Sequence, residues 1–309
     1  MKILITGGAG HIGSYLIREL PNLLKIKEIY IVDNMISNRY CSLFDLPDLT
    51  RYKFLDIDLS KHELNSLPEV DIVIHLAAKT DAAQSANREE EFYSNNLEAT
   101  KSIIEYSKSN DSKLIFASTT SVYGPQSDLV DEQCDKTDLN PQSPYADVKL
   151  IEEDTIRNEL SSKDGKYLIL RFGTVYGYAV GIRFHTAVNR FCFQAANGIP
   201  LTIWKTAYHQ VRPYLGLGDL NRSLSHIIEN QLFDNSNYNI VSQNCTVKEI
   251  VDSIRIYLPN LEVEYVEHEI MNQLSYEVSN KKFSDTNFLF NSDLDINIRE
   301  TIHHLKNLV

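Results

Sequence analysis

Tyr145 and Lys149 stand four residues apart, so on a helix the phenol and the ammonium project from one face, one turn from each other. Together they suit acid–base chemistry. A free phenol titrates near about 10, and a neighbouring Lys cation favours the phenolate, which brings Tyr145 toward a value useful at neutral pH. Alone, such a pair is most often an ordinary surface pair. Its setting argues for more: Pro144 directly precedes it and can help start the helix. Ser118-Thr119-Thr120-Ser121-Val122-Tyr123-Gly124 follows an apolar strand, and ligands of open α/β sheets bind at the carboxyl ends of strands. A hydroxyl there can hydrogen-bond the substrate oxygen whose proton Tyr145 takes or gives.

The elements that must position this pair begin almost at the first residue. Ile3-Leu4-Ile5-Thr6 runs into Gly7-Gly8-Ala9-Gly10-His11-Ile12-Gly13 and then into a helical pattern from Ser14. A short buried strand, glycines that let backbone amides approach, and the positive end of a helix form a site for the pyrophosphate of a dinucleotide. A second apolar run, Ile29-Tyr30-Ile31-Val32, ends in Asp33. An acid about twenty residues past the turn accepts hydrogen bonds from ribose hydroxyls and repels a 2′-phosphate, which favours NAD over NADP. Arg39, a few residues on, works against that preference.

Further strands are expected at Tyr52 to Leu55, Ile72 to Leu76, Lys113 to Ser118, Tyr167 to Arg171 and Tyr238 to Val241, alternating with helical segments. The fold class is therefore α/β: a Rossmann-type, doubly wound parallel sheet with a smaller C-terminal α/β substrate lobe. Residues 1–173 form the NAD-binding part, to which the chain returns around 211–245, and residues 174–309 form mainly the lobe. Gly124 to Pro144, rich in Pro, Gln, Ser and Asp, reads as a long loop beside the chemistry.

Composition narrows the classes. A chain of 309 residues with 43% hydrophobic content can bury a sizeable core, and its net charge of −12 argues against nucleic-acid binding. Cys41, Cys134, Cys192 and Cys245 are scattered, which fits reduced thiols in a cytoplasmic protein and gives no metal signature. His303-His304 reads as a solvated helix face rather than a ligand pair. Neither a signal peptide nor an apolar run of about twenty residues is seen, so no membrane partner is expected.

Five motifs then occur in one order: the Thr6 to Gly13 turn, His75-Leu76-Ala77-Ala78, Asn95-Asn96-Leu97-Glu98-Ala99-Thr100, Ser118 to Gly124, and Pro144-Tyr145 through Lys149. The chain resembles the extended short-chain dehydrogenases/reductases, and among them the nucleotide-sugar epimerase/dehydratase members similar to UDP-glucose 4-epimerases. The resemblance covers roughly residues 1 to 245 and is strongest up to Gly177. It implies that Gly7, Gly10, His11, Ile12 and Gly13 hold the pyrophosphate of NAD, Asp33 and Asn34 the ribose, and Asp56 and Ile57 the adenine. Leu76, Ala77, Ala78 and Asn95 would line the cofactor path. Thr119, Tyr145 and Lys149 would be the catalytic triad, with Tyr145 and Lys149 also counted among the cofactor-binding residues and Lys149 binding the nicotinamide ribose. His11 departs from the aromatic residue often found at its position.

On the substrate side the resemblance points to Thr120 and to Thr174, which stands where Asn is frequent. Asn189 and Arg212 are expected to meet the diphosphate of a nucleotide sugar, while Arg183 is equally suited to that role or to a salt bridge. Relatives often carry another basic residue near Asn272 to Glu277; here no Arg occurs, so the phosphate is held differently or the donor is not the usual uridine diphosphate sugar. The 4,6-dehydratase branch follows its catalytic Thr with an Asp-Glu pair, and Thr120-Ser121 stand here instead. Water elimination thus lacks its usual acid and base, which ranks dehydration low. Epimerisation through a transient keto-sugar leads; a nucleotide-sugar dehydrogenase or keto-sugar reductase with net cofactor turnover is the runner-up. A non-catalytic NAD-binding protein is disfavoured by the intact triad. The family also implies a homodimer pairing helices near Asn95 to Ser107 and Tyr145 to Leu160.

Overall fold

The computed structural model describes residues 1–61, 67–81, 85–126, 129–135, 137, 139–161, 165–267 and 275–306. The strands are β1 (Lys2–Thr6), β2 (Glu28–Asp33), β3 (Arg51–Asp56), β4 (Ile72–His75), β5 (Lys113–Thr119), β6 (Tyr167–Phe172), β7 (Thr174–Tyr176), β8 (Leu201–Trp204), β9 (Val211–Gly216), β10 (Asn237–Ile240), β11 (Gln243–Thr246) and β12 (Val263–Val266). The helices are α1 (His11–Leu23), α2 (Glu89–Asn110), α3 (Pro144–Leu160), α4 (Ala187–Ala196), α5 (Leu217–Glu229), α6 (Val247–Tyr257), α7 (Lys281–Ser284) and α8 (Leu294–Lys306).

Seven strands build one parallel sheet in the order β10-β6-β5-β4-β1-β2-β3. All seven lie where the sequence predicts strands, with ends shifted by at most a residue. Alternation along each strand sends side chains to opposite faces. Ile3 and Ile5 of β1 pack with Leu16, Ile17 and Leu20 of α1 and with Leu224 and Ile227 of α5. Leu4 faces the other way, into a cluster with Ile103 of α2 and Ile156 of α3. Helices thus cover both faces, as buried parallel sheets require, and the order reverses between β1 and β4, where such folds bind ligands.

After β6 the chain leaves this sheet. β7, β9 and β11 form a three-stranded sheet and β8 pairs with β12. α4, α6 and α8 close over a separate core containing Val188, Phe191, Tyr214, Val251, Ile254, Ile298 and Ile302. Between β9 and β11 the chain rejoins the main sheet through α5 and β10. Among the described residues no helix is long and apolar enough to cross a membrane, and no cluster of His, Cys, Asp or Glu is placed to hold a metal ion.

Candidate active site

The turn between β1 and α1 is built for a ligand's close approach. Gly7 has φ +66°, and a Cβ there would lie 2.8 Å from the Ala77 nitrogen. A Cβ on Gly13 would lie 2.5 Å from the Gly7 carbonyl oxygen, so neither position accepts a side chain without displacing backbone. No acid stands in the first turn of α1, which leaves its positive end free for an anion. Asp33 holds the turn from β2: Oδ2 accepts the Ala9 N–H and Oδ1 the Met35 N–H, both at 3.0 Å. Burial pushes its carboxyl up, and these two N–H donors oppose that shift.

A cleft of about 470 Å³ opens at this reversal point of the sheet. Gly7, Gly10, His11, Ile12 and Gly13 form one wall, Asp33, Asn34 and Ile57 one end, and Leu76, Ala77, Ala78 and Asn95 the other wall. Asp56 is not in the wall; it ends β3 exposed, in register with Asp33, and Asp58 lines the cleft two residues later. Arg39 and Arg183 also line it. In a protein with 42 acids to 30 basic Lys and Arg, no carboxylate among the described residues pairs with Arg39, Arg183 or Arg212. Half-buried Arg side chains beside a glycine cradle suit anionic ligands.

Arg183 arrives on a segment fixed to the nucleotide turn. His11 Nε2 donates to the Gly177 carbonyl at 2.9 Å, and the Gly181 N–H donates to Ser14 Oγ at 2.9 Å. Asn189 spends its amide on the same segment, Oδ1 accepting the Gly177 N–H at 3.0 Å and Nδ2 donating to the Arg183 carbonyl at 3.2 Å. From there Arg183 donates to Thr80 Oγ1 at 2.5 Å, bridging the two walls of the cleft. Thr174 and Arg212 lie on the three-stranded sheet, outside the cleft wall. Of the stretch Asn272 to Glu277, residues 272–274 lie outside the described residues; Ser275 Oγ accepts the Val211 N–H, and Tyr276 is buried.

His11 and His75 are both buried neutral. Burial and the nearby Arg183 push His11 down to about 3, and burial and Lys149 push His75 down to about 3. Unfolded imidazole titrates near about 6.5, so between those values the unfolded chain binds protons that the folded protein does not. Stability must therefore fall as pH falls through this window, by on the order of 2 kcal/mol per ring by about pH 5. His185 is pushed down as well, to about 4, so thermal melts near pH 7.5 and pH 5 should show Tm dropping by several degrees, with about a third of the drop removed in His11→Phe. A Tm constant across the window would contradict the buried, neutral rings.

Thr119 ends β5 and accepts the Ser121 N–H at 3.1 Å. Thr120 is turned inward: 2% exposed, it donates to the Phe172 carbonyl at 3.3 Å and lies 3.5 Å from the Tyr276 hydroxyl. Pro144 opens α3 behind Ser143, whose Oγ accepts the Ala146 N–H at 3.2 Å, so the sequence-predicted helix start is capped as Ser caps are. This places Tyr145 in the first turn, half-buried and within the electrostatic reach of Arg183. Lys149, 3% exposed, lies 4.5 Å over the Phe116 ring and 3.1 Å from Glu152 Oε2. Sequence reasoning missed two adjacent acids of α3. Besides Glu152, Glu153 is fully buried and takes both arms of Arg171, at 2.9 and 2.8 Å. The available signal was their spacing, since Glu153 repeats the Tyr145–Lys149 face one more turn along.

Residues 3–240 match the model of the NAD dependent epimerase/dehydratase family. The chain therefore belongs to that family and is an enzyme of the extended short-chain dehydrogenase/reductase type. It is 32% identical over 238 residues to YtcB of Bacillus subtilis, described as an uncharacterized UDP-glucose epimerase, covering 74% of this chain and 72% of YtcB. It is 34% identical over 195 residues to the dTDP-D-glucose 4,6-dehydratase of Dictyostelium discoideum, spanning 57% of this chain and only 44% of that protein. The same fold, with a TM-score of 0.87 at 24% identity and all of both chains covered, is found in the UDP-glucuronic acid 4-epimerase from Bacillus cereus, solved with UDP-glucuronic acid and NAD.

Proposed function

We propose that this protein is an NAD-dependent nucleotide-sugar epimerase. The relatives include epimerases and dehydratases, and the observation that favours the first is the end of β5: the two positions after Thr119 hold hydroxyls, not acids, and Thr120 is committed inside the protein. Elimination of water needs a proton donor and a base there; hydride chemistry does not.

The residues present fit NAD. Gly7, Gly10 and Gly13 form a cradle that a Cβ would fill, the α1 terminus suits a pyrophosphate, and Asp33 retains lone pairs for ribose hydroxyls. A bound NAD would supply reversible hydride transfer at the sugar carbinol carbon, the configuration there inverting when the keto-sugar presents its other face. Tyr145 takes the hydroxyl proton as the carbonyl forms and gives it back on return, Thr119 orients the reacting oxygen, and Lys149 favours the phenolate. Arg183 and Arg212 supply charge for the diphosphate of the substrate.

Product analysis tests the reaction class. Incubation with a panel of nucleotide sugars should give, for one of them, an equilibrium mixture of two stereoisomers of equal mass by NMR and mass spectrometry. A product lighter by one water would make the protein a dehydratase.

The assembly proposed with this function is a homodimer through the outer faces of α2 and α3, where Leu97 is half-exposed and Ile151 is 41% exposed. Light scattering should give twice the 35.4 kDa chain mass, and Ile151→Glu should shift it toward the monomer; a monomer before substitution would contradict the dimer. The four cysteines, none in a disulfide, are in keeping with a cytoplasmic setting.

A further inference from the structure

Glu152 is fully buried three residues after Lys149, a costly place for a carboxylate unless its oxygens are compensated. Oε2 faces Lys149 Nζ at 3.1 Å, and Oε1 accepts from Thr100 Oγ1 at 2.5 Å. Behind Thr100, His75 Nε2 lies 3.2 Å from Thr100 Oγ1, and His75 Nδ1 lies 2.7 Å from Thr6 Oγ1. Thr6 Oγ1 already accepts the Leu76 and Ala77 N–H groups at 3.1 Å, so its own proton goes to His75 Nδ1. That fixes the ring as the Nε2–H tautomer, which donates to Thr100, and Thr100 donates to Glu152. Every donor points toward the carboxylate, and aligned bonds in a low-dielectric interior strengthen one another. The chain starts at Leu76 and Ala77 in the cofactor cleft and ends on the Glu152 carboxylate, whose other oxygen faces the Lys149 ammonium.

We propose that Glu152 is the positioning residue for Lys149: the buried counter-ion that keeps its ammonium charged and fixed on the Tyr145 face of α3, tied through Thr100 and His75 to the cleft wall. This rests on the reading of Tyr145 and Lys149 given above. The charged, titratable and aromatic groups facing Lys149 are Glu152 from its own helix, the neutral His75 from β4 and the Phe116 ring from β5. Arg183 adds positive charge on the Tyr145 side.

Glu152→Gln keeps the shape and removes the charge. The buried ammonium then loses its compensation and releases its proton more readily, and Tyr145 loses the cation that favours its phenolate. The acid limb of kcat/KM against pH should move up by about one unit or more. In the cofactor-free protein, the ε-carbon NMR signal of Lys149, assigned with Lys149→Met, should titrate at lower pH than before substitution. Glu152→Asp, which retains the charge, should restore most of the limb. If the limb and the lysine titration stay in place or move down while Lys149→Met is inactive, Glu152 has no such role. Full activity in Lys149→Met would instead overturn the triad itself.

Discussion

Replacing Tyr145 by Phe should lower turnover by about a thousandfold or more while leaving NAD affinity within about twofold. The substitution removes one oxygen from a half-buried side chain in the first turn of α3. The cofactor cradle is built elsewhere, from the β1–α1 turn, Asp33 and the β4 loop. Activity and binding should therefore separate cleanly, as expected when a proton-transfer group is lost. Titration of the variant with NAD, followed by protein fluorescence, and a turnover assay at saturating cofactor check both halves. Retained turnover would remove Tyr145 from the mechanism.

The second large effect falls on stability. Replacing Arg171 by Met leaves Glu153 fully buried with its main counter-charge gone and only Ser118 and the half-exposed Arg157 as partners. Burial alone pushes the Glu153 carboxyl up, and Arg171, Arg157 and Ser118 together more than reverse this, so it sits below its ordinary value in the folded protein. Breaking such a buried pair costs about 3–5 kcal/mol, which should lower Tm by on the order of 10 °C. Removing both charges, as Arg171→Met with Glu153→Leu, should recover much of the loss, because two well-packed apolar side chains replace a buried pair at little cost. Because the carboxyl is more acidic folded than unfolded, the pair stabilises at neutral pH and its contribution fades as pH falls through the folded value. A Tm unchanged in Arg171→Met would contradict the pair's role.

The main sheet was legible because most of its strands, the exposed edge β3 excepted, are short apolar runs buried on both faces, and because the glycine turn and the Ser143-Pro144 start carry local chemistry that no partner need supply. The buried acids were not. Glu152 and Glu153 look like a solvated pair until Thr100 and Arg171, on other elements, are folded against them. Nor does the sequence show that Asn189 spends both ends of its amide on the segment carrying Arg183, or that Thr120 turns inward. The cleft wall takes Asp58 rather than Asp56 because β3 extends through Asp56, and the turn that follows carries Asp58 into the wall. Pattern reports which elements form; the direction in which each polar side chain points depends on contacts made across the sheet.

The most direct test of the account is the cofactor balance during turnover. With a nucleotide sugar that the purified protein converts, many molecules of epimer should form per protein while absorbance at the reduced-nicotinamide band shows no net accumulation or consumption. One NAD or NADH consumed per product would show that the cofactor is a reagent, and would make the protein a dehydrogenase or reductase instead.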